Sequence, residues 1–149
     1  QAAEAGLDWA LYNYANLLAT GRGVTQDQNA AYQLYRVAAQ AGHAKSMNLL
    51  GRYLEEGEHC PADKAEACLW YERSARGGDF RGQFSHASVL AEDGNIDDAL
   101  RWFERALNGG NLNFLRVTLG TLLEAREPRI RALSAAWQVR IDALQGNNG

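Results

Sequence analysis

The chain has 149 residues, 46% of them apolar, and a formal net charge of −3. That is one domain's length of chain with apolar residues enough for a continuous core, and its acidic balance excludes a nucleic-acid binder that works through a basic face. No apolar run approaches the roughly 18 residues that a membrane-crossing helix needs.

Gly6, Gly42 and Gly78 stand 36 residues apart, and the runs they close are alike: AAEAG at 2–6, AAQAG at 38–42 and SARGG at 74–78. A fixed period of this length marks a repeat array. Residues 1–5 read as the end of a preceding repeat, 6–41 as repeat 1 and 42–77 as repeat 2. A chain that opens inside a repeat shows no leader, so both a cytoplasmic and a periplasmic location stay open.

Residues 7–20 place Leu11, Tyr14, Ala15 and Leu18 at helical spacing, and 43–56 do the same with Met47, Leu50, Gly51 and Leu54. Each predicts a first helix. Gly21 and Gly57 follow at one offset and suit a helix end at positive φ. Beyond the polar loops 21–27 and 57–63, second helices are predicted over 30–40 and 64–76, with faces of Ala31, Leu34, Tyr35, Ala38 and Ala67, Trp70, Tyr71, Ala75. One unit is therefore a helix hairpin.

The third copy, 78–109, is shorter: Ala99, Trp102 and Phe103 follow Ala67, Trp70 and Tyr71 by only 32 residues, because Gly94 and Asn95 lead almost directly into a helix over 97–108. The fourth, 110–145, is divergent. It predicts a first helix over 112–125, with Leu119, Gly120 and Leu123 in the places of Leu50, Gly51 and Leu54. Pro128 then opens a capping helix striped by Ile130, Leu133, Trp137, Ile141 and Leu144. GNNG at 146–149 reads as a disordered tail. Taken together, 1–149 predicts a single all-α repeat domain, a right-handed α-solenoid of stacked helix hairpins.

Motifs that carry chemistry are absent. There is no H-E-x-x-H, no G-x-S-x-G elbow and no phosphate-cradling glycine loop. The three histidines do not cluster in sequence: His43 reads as a solvated first-turn residue, His59 lies in a loop, and His86 replaces Tyr14 and Leu50 and reads as a core residue. His59, Cys60 and Cys68 lack the short Cys-x-x-Cys pair of a zinc site. The expectation is a protein that is no enzyme and holds neither metal nor cofactor.

The phase of small residues, Gly, Asp and paired aromatics in YNYANLLATGRGVTQDQNAAYQLYRVAAQAG resembles the Sel-one-like repeat, a branch of the tetratricopeptide superfamily found in bacteria and eukaryotes. The resemblance spans two full copies, the shortened third and the divergent fourth. It implies a bacterial scaffold or adaptor that binds other proteins. The alternative is a structural or assembly module of a larger envelope or secretion complex. Secreted cysteine-rich relatives pair cysteines separated by seven residues, as Cys60 and Cys68 are. Theirs join a second helix to the next first helix, whereas these would join a loop to the helix after it, so free thiols and a disulfide both remain open.

In tetratricopeptide-type hairpins the first helices line the concave face. Carried over copy by copy, that implies a protein- or peptide-binding groove of Trp9, Tyr12 and Asn16, then Lys45, Asn48 and Arg52, then Arg81, Phe84 and Ser88, continued by Phe114, Val117 and Thr121. Three basic residues on one face of an acidic chain point to a partner that carries acidic groups. The carboxylate clamp of the superfamily is incomplete, since Tyr12 stands in place of its Lys and Leu49 in place of its Asn. Self-association through apolar surface near Trp9 is a further expectation.

Overall fold

The computed structural model describes residues 2–146, the first four of them by backbone alone. Among them are eight helices and no strand: α1 (Ala2–Thr20), α2 (Gln28–Gln40), α3 (Ala44–Glu56), α4 (Lys64–Arg76), α5 (Phe80–Glu92), α6 (Ile96–Gly109), α7 (Leu112–Leu123) and α8 (Pro128–Gly146). They fall into two compact units that divide after His86, inside α5.

In the first unit α1 packs on α2, α2 on α3 and α3 on α4. The hairpins are built by local chemistry. Gly57 ends α3 at φ 71°, where a Cβ would stand 2.6 Å from that of Ala62, so a side chain is excluded by both conformation and space. Asp27 and Asp63 then cap α2 and α4, each carboxylate accepting an N–H bond of 3.0 Å from the third residue on. The cap at Asp27 starts α2 at Gln28, two residues before the predicted start. Tyr35 and Tyr71 are buried (2% and 3% exposed) between the helices of their own hairpins. Opposite them stand the small residues Ala15, in the same core cluster as Tyr35, and Gly51, whose added Cβ would lie 2.6 Å from Cε1 of Tyr71.

Two expectations change here. Instead of a break at Gly6, α1 is continuous from Ala2 to Thr20. Gly6 is not at positive φ, and a single glycine among Ala and Glu costs a helix only about 1 kcal/mol. His43, at the N-cap position of α3 but with no side-chain capping bond, is buried.

In the second unit α7 and α6 pack on α8. Trp137, Leu115, Leu122, Ile130 and Ile141 form its buried set, with Ala99, Phe103 and Ala106 of α6 also buried. The register expected for α7 is one residue off: Leu122 is buried while Leu123 is 55% exposed, and an added Cβ on Gly120 would meet nothing within 4 Å. The cause is the bulk facing α7. Trp137, the tenth residue of α8 where Tyr71 is the eighth of α4, is fully buried and donates its indole N–H to Thr118 Oγ1 at 3.0 Å, so the stripe of α7 runs through Leu115, Thr118 and Leu122. Of the tail expected at 146–149, Gly146 closes α8 and the remainder lies outside the described residues.

Candidate protein-interaction surface

The first helices of the first unit are tied to their neighbours by a ladder of tyrosine and serine hydroxyls. Tyr35 donates to Asn16 Oδ1 and Tyr53 to Gln28 Oε1. Tyr71 donates to Glu55 Oε1 at 2.8 Å, and Ser85 to Asn48 Oδ1 at 2.8 Å. Burial pushes the three phenols above their ordinary range, reinforced at Tyr71 by the Glu55 carboxylate. They therefore stay protonated as donors at any physiological pH.

Between these rungs lies a pocket of about 280 Å³ lined by residues that include Gln28, Tyr35, Arg52, Tyr53, Glu56 and His59. Arg52 is exposed. Tyr53 and Gln28 were not among the residues singled out in the sequence, and His59 was weighed there only as a loop histidine and metal ligand, not as part of a binding surface. The signal for Tyr53 is its repeat offset: it occupies the place of Leu17 and adds a hydroxyl where two hairpins meet.

A second cluster forms nearer the N-terminal ends of α1 and α3. The Trp9 and Tyr12 ring centroids are 5.7 Å apart and nearly perpendicular, and His43 packs against them at 4.6 Å and 4.9 Å. The Lys45 ammonium lies 5.1 Å from the Trp9 ring centre, a cation–π distance. His43, expected to be solvated, is 8% exposed because these rings close over it. Its Nδ1 is 2.7 Å from Ser46 Oγ, while Nε2 and, at the same place in the next copy, Asp79 Oδ2 are buried without a hydrogen-bond partner.

Burial lowers the His43 pKa below the usual 6.5; the carboxylates of Asp8 and Asp79 oppose the shift and Lys45 adds to it. Burial also raises the Asp79 pKa, against the charges of Arg81 and Lys45 and the backbone N–H groups of Arg81 and Gly82. Since the folded state gives up the His43 proton more readily than the unfolded chain, the unfolded chain binds protons first as pH falls through 6.5. Stability that is present above that pH is lost below it. Urea melts at about pH 7.5 and 5.5 should show wild type losing more stability than His43→Gln. Asp79 titrates with the opposite sign but is common to both proteins. Equal losses would disprove the assignment.

The other expected groove residues divide. Arg81 is half-buried, its guanidinium 4.5 Å from the Phe80 ring centre, and Phe84 is half-buried on the same helix. Asn48 is 4% exposed, with its carbonyl oxygen taken by Ser85. In the second unit Ser88 is half-buried, Thr121 is exposed, Phe114 is buried and Val117 is 70% exposed. Cys60 and Cys68 are not joined in a disulfide, and each is partly buried. Among the described residues no three His, Cys, Asp or Glu side chains are grouped to hold a metal ion, and no helix is long and apolar enough to cross a membrane.

Helix hairpins repeated at 36 residues, with an aromatic of the second helix set against a small residue of the first, define an α-solenoid of the tetratricopeptide type. The Sel1 repeat model matches residues 10–43, 44–79 and 90–111, more than half of the chain, and the chain belongs to the Sel1 repeat family. Repeats of this family commonly serve as protein-interaction scaffolds. The fold is similar to that of a Sel1 repeat protein from Oxalobacter formigenes, at 25% identity and a TM-score of 0.70, over 95% of this chain and 60% of that one. It is also similar to c5321, a protective antigen of uropathogenic Escherichia coli with an SLR fold, at 23% identity and a TM-score of 0.73, over 95% of this chain and 31% of that one. The chain thus spans under two thirds of the length of either. No curated protein matches it.

Proposed function

We propose that the chain is a protein-interaction scaffold, without chemistry of its own, that holds a partner segment along the first-helix face of α1, α3 and α5. Trp9, Tyr12 and Phe84 supply contact area, and Asn16, Lys45, Arg52 and Arg81 supply donors to backbone carbonyls or carboxylates of the partner. Asn48 supports that face from beneath.

The observation that carries the reading is Arg52. Arg52, like Arg81 and several other arginines, makes no ion pair among the described residues, but it is exposed and lines the pocket. A guanidinium kept unpaired beside a concavity is available to an incoming acceptor. Glu56 and Glu58 line the same pocket and would repel a run of acidic residues. The partner therefore presents a single carboxylate or a chain of carbonyls at Arg52, not an acidic tract.

With a partner captured by the wild-type protein, Arg52→Glu together with Arg81→Glu should raise Kd about 10- to 100-fold. Helical circular dichroism and Tm should stay near wild type. Binding should also weaken with salt while keeping an apolar remainder. If the double reversal binds as wild type while Arg73→Glu, on a second helix, abolishes binding, the groove reading fails. An assembly module that works through its second helices then replaces it.

A further inference from the structure

The pocket beside Arg52 is short of positive charge. Its charged lining is that one arginine and two glutamates, Glu56 and Glu58, and it lies where two helices finish, since Ala19 is the last residue but one of α1 and Glu56 the last of α3. A helix C-terminus carries partial negative charge, which a basic side chain in the last turn offsets. Neither helix has one there. The carbonyl of Ala19 is met instead by neutral amides, those of Gln26 and Gln28 at 2.9 Å and 3.0 Å. The glutamates are also poorly satisfied. Glu56 is exposed and makes no ion pair or hydrogen bond among the described residues, and Glu58 meets Nε2 of His59 at 3.8 Å. Beside them stands an aromatic wall. Tyr53, three residues before Glu56 on α3 and so on the same side of the helix, is anchored by its hydroxyl to Gln28 Oε1, and its ring centroid lies 5.9 Å from that of His59.

Resting on the scaffold reading above, we propose that this pocket receives an arginine side chain of the partner segment. Its guanidinium is held by Glu56 and Glu58 against the Tyr53 ring, while a main-chain carbonyl of the same segment meets Arg52. Size sets the scale of the guest. At about 280 Å³ the space falls below the roughly 300–1,000 Å³ of small-molecule sites and suits one long side chain. Charge selects a cation, because two carboxylates and two helix C-termini outweigh a single arginine. Shape then selects arginine over lysine. A planar guanidinium stacks on a ring and presents a fork of donors to carboxylates, whereas an ammonium is a point charge that keeps its water. The chain holds a guanidinium of its own in this manner: Arg36 lies 5.4 Å from the Tyr32 ring centre and pairs with Glu66 at 3.0 Å.

The probes are tripeptides blocked at both ends, with arginine, lysine, glutamine or glutamate between two glycines, titrated into the isotope-labelled chain and followed by amide chemical shifts. The arginine peptide should shift Gln28 and residues 52–59 saturably, with Kd on the order of 1 mM. The lysine peptide should bind about 5-fold more weakly, and the glutamine and glutamate peptides should give no saturable shift there. Glu56→Gln with Glu58→Gln should weaken the arginine peptide at least about 10-fold and keep the wild-type Tm, since both side chains are exposed. No saturable shift up to about 20 mM, well above the expected Kd, would overturn the proposal. So would equal affinity for the lysine or glutamate peptide, or an arginine affinity indifferent to the double glutamine variant. These readouts need no partner, so they separate from the test of the groove. A captured partner lost on Arg52→Glu with Arg81→Glu, with no arginine binding, overturns the arginine pocket alone. Arginine binding with a partner indifferent to that reversal overturns the groove alone.

Discussion

Tyr71→Ala should destabilise the first unit by about 3–5 kcal/mol, the range for truncating a large aromatic in a packed core. The ring is 3% exposed and lies against the backbone of α3 at Gly51, where a Cβ would come within 2.6 Å of Cε1. Most of the cost is lost packing, not the lost hydroxyl. Tyr71→Phe, which removes only the 2.8 Å bond to the exposed Glu55, should cost about 1 kcal/mol. The geometry also requires coupling. Gly51→Ala forces a clash in wild type, worth about 1–3 kcal/mol, but in Tyr71→Ala the methyl fills part of the vacated space and gains helix propensity of up to about 1 kcal/mol. The double mutant should be more stable than the sum of the singles predicts. Urea melts that place Tyr71→Ala within about 1 kcal/mol of wild type, or that show strict additivity, would contradict this packing.

What was legible in the sequence was whatever is fixed within one hairpin. The 36-residue period, the positive-φ glycines and the second-helix aromatics Tyr35 and Tyr71 repeat because each hairpin solves the same local problem. α4 therefore falls on its predicted bounds, and α2 differs only by the reach of the Asp27 cap. What depends on a neighbouring hairpin was harder to read. His43 follows a glycine hinge as a solvated residue would, and only the rings of Trp9 and Tyr12, supplied by another helix, bury it. The Arg52 pocket was half legible: the arginine stands out on an acidic chain, but Gln28 and Tyr53 reach it through packing between α2 and α3. In the divergent fourth copy the motif Leu-Gly-x-x-Leu carried the wrong register, because the buried aromatic of α8 stands two residues further along its helix than Tyr71 does in α4 and its indole binds a hydroxyl of α7.

Trp137 is the residue whose loss should cost the second unit most. It is 0% exposed, and Trp137→Ala should cost about 3–5 kcal/mol or more, because α7 and α8 cannot collapse onto the space of an indole. Its hydrogen bond can be separated from its bulk. Thr118 Oγ1 accepts from the indole at 3.0 Å while donating to the Phe114 carbonyl at 2.8 Å. Thr118→Val keeps the shape but leaves a buried N–H unpaired, at about 1–3 kcal/mol. In a Trp137→Phe background there is no N–H to strand, so Thr118→Val should cost little beyond the lost helix-internal bond to Phe114. The cycle should therefore show a coupling of about 1 kcal/mol or more. Hydrogen exchange should show Trp137→Ala stripping protection from α7 and α8. If exchange there stays at wild-type rates, or if Thr118→Val costs the same with and without the indole, Trp137 does not organise this end of the array.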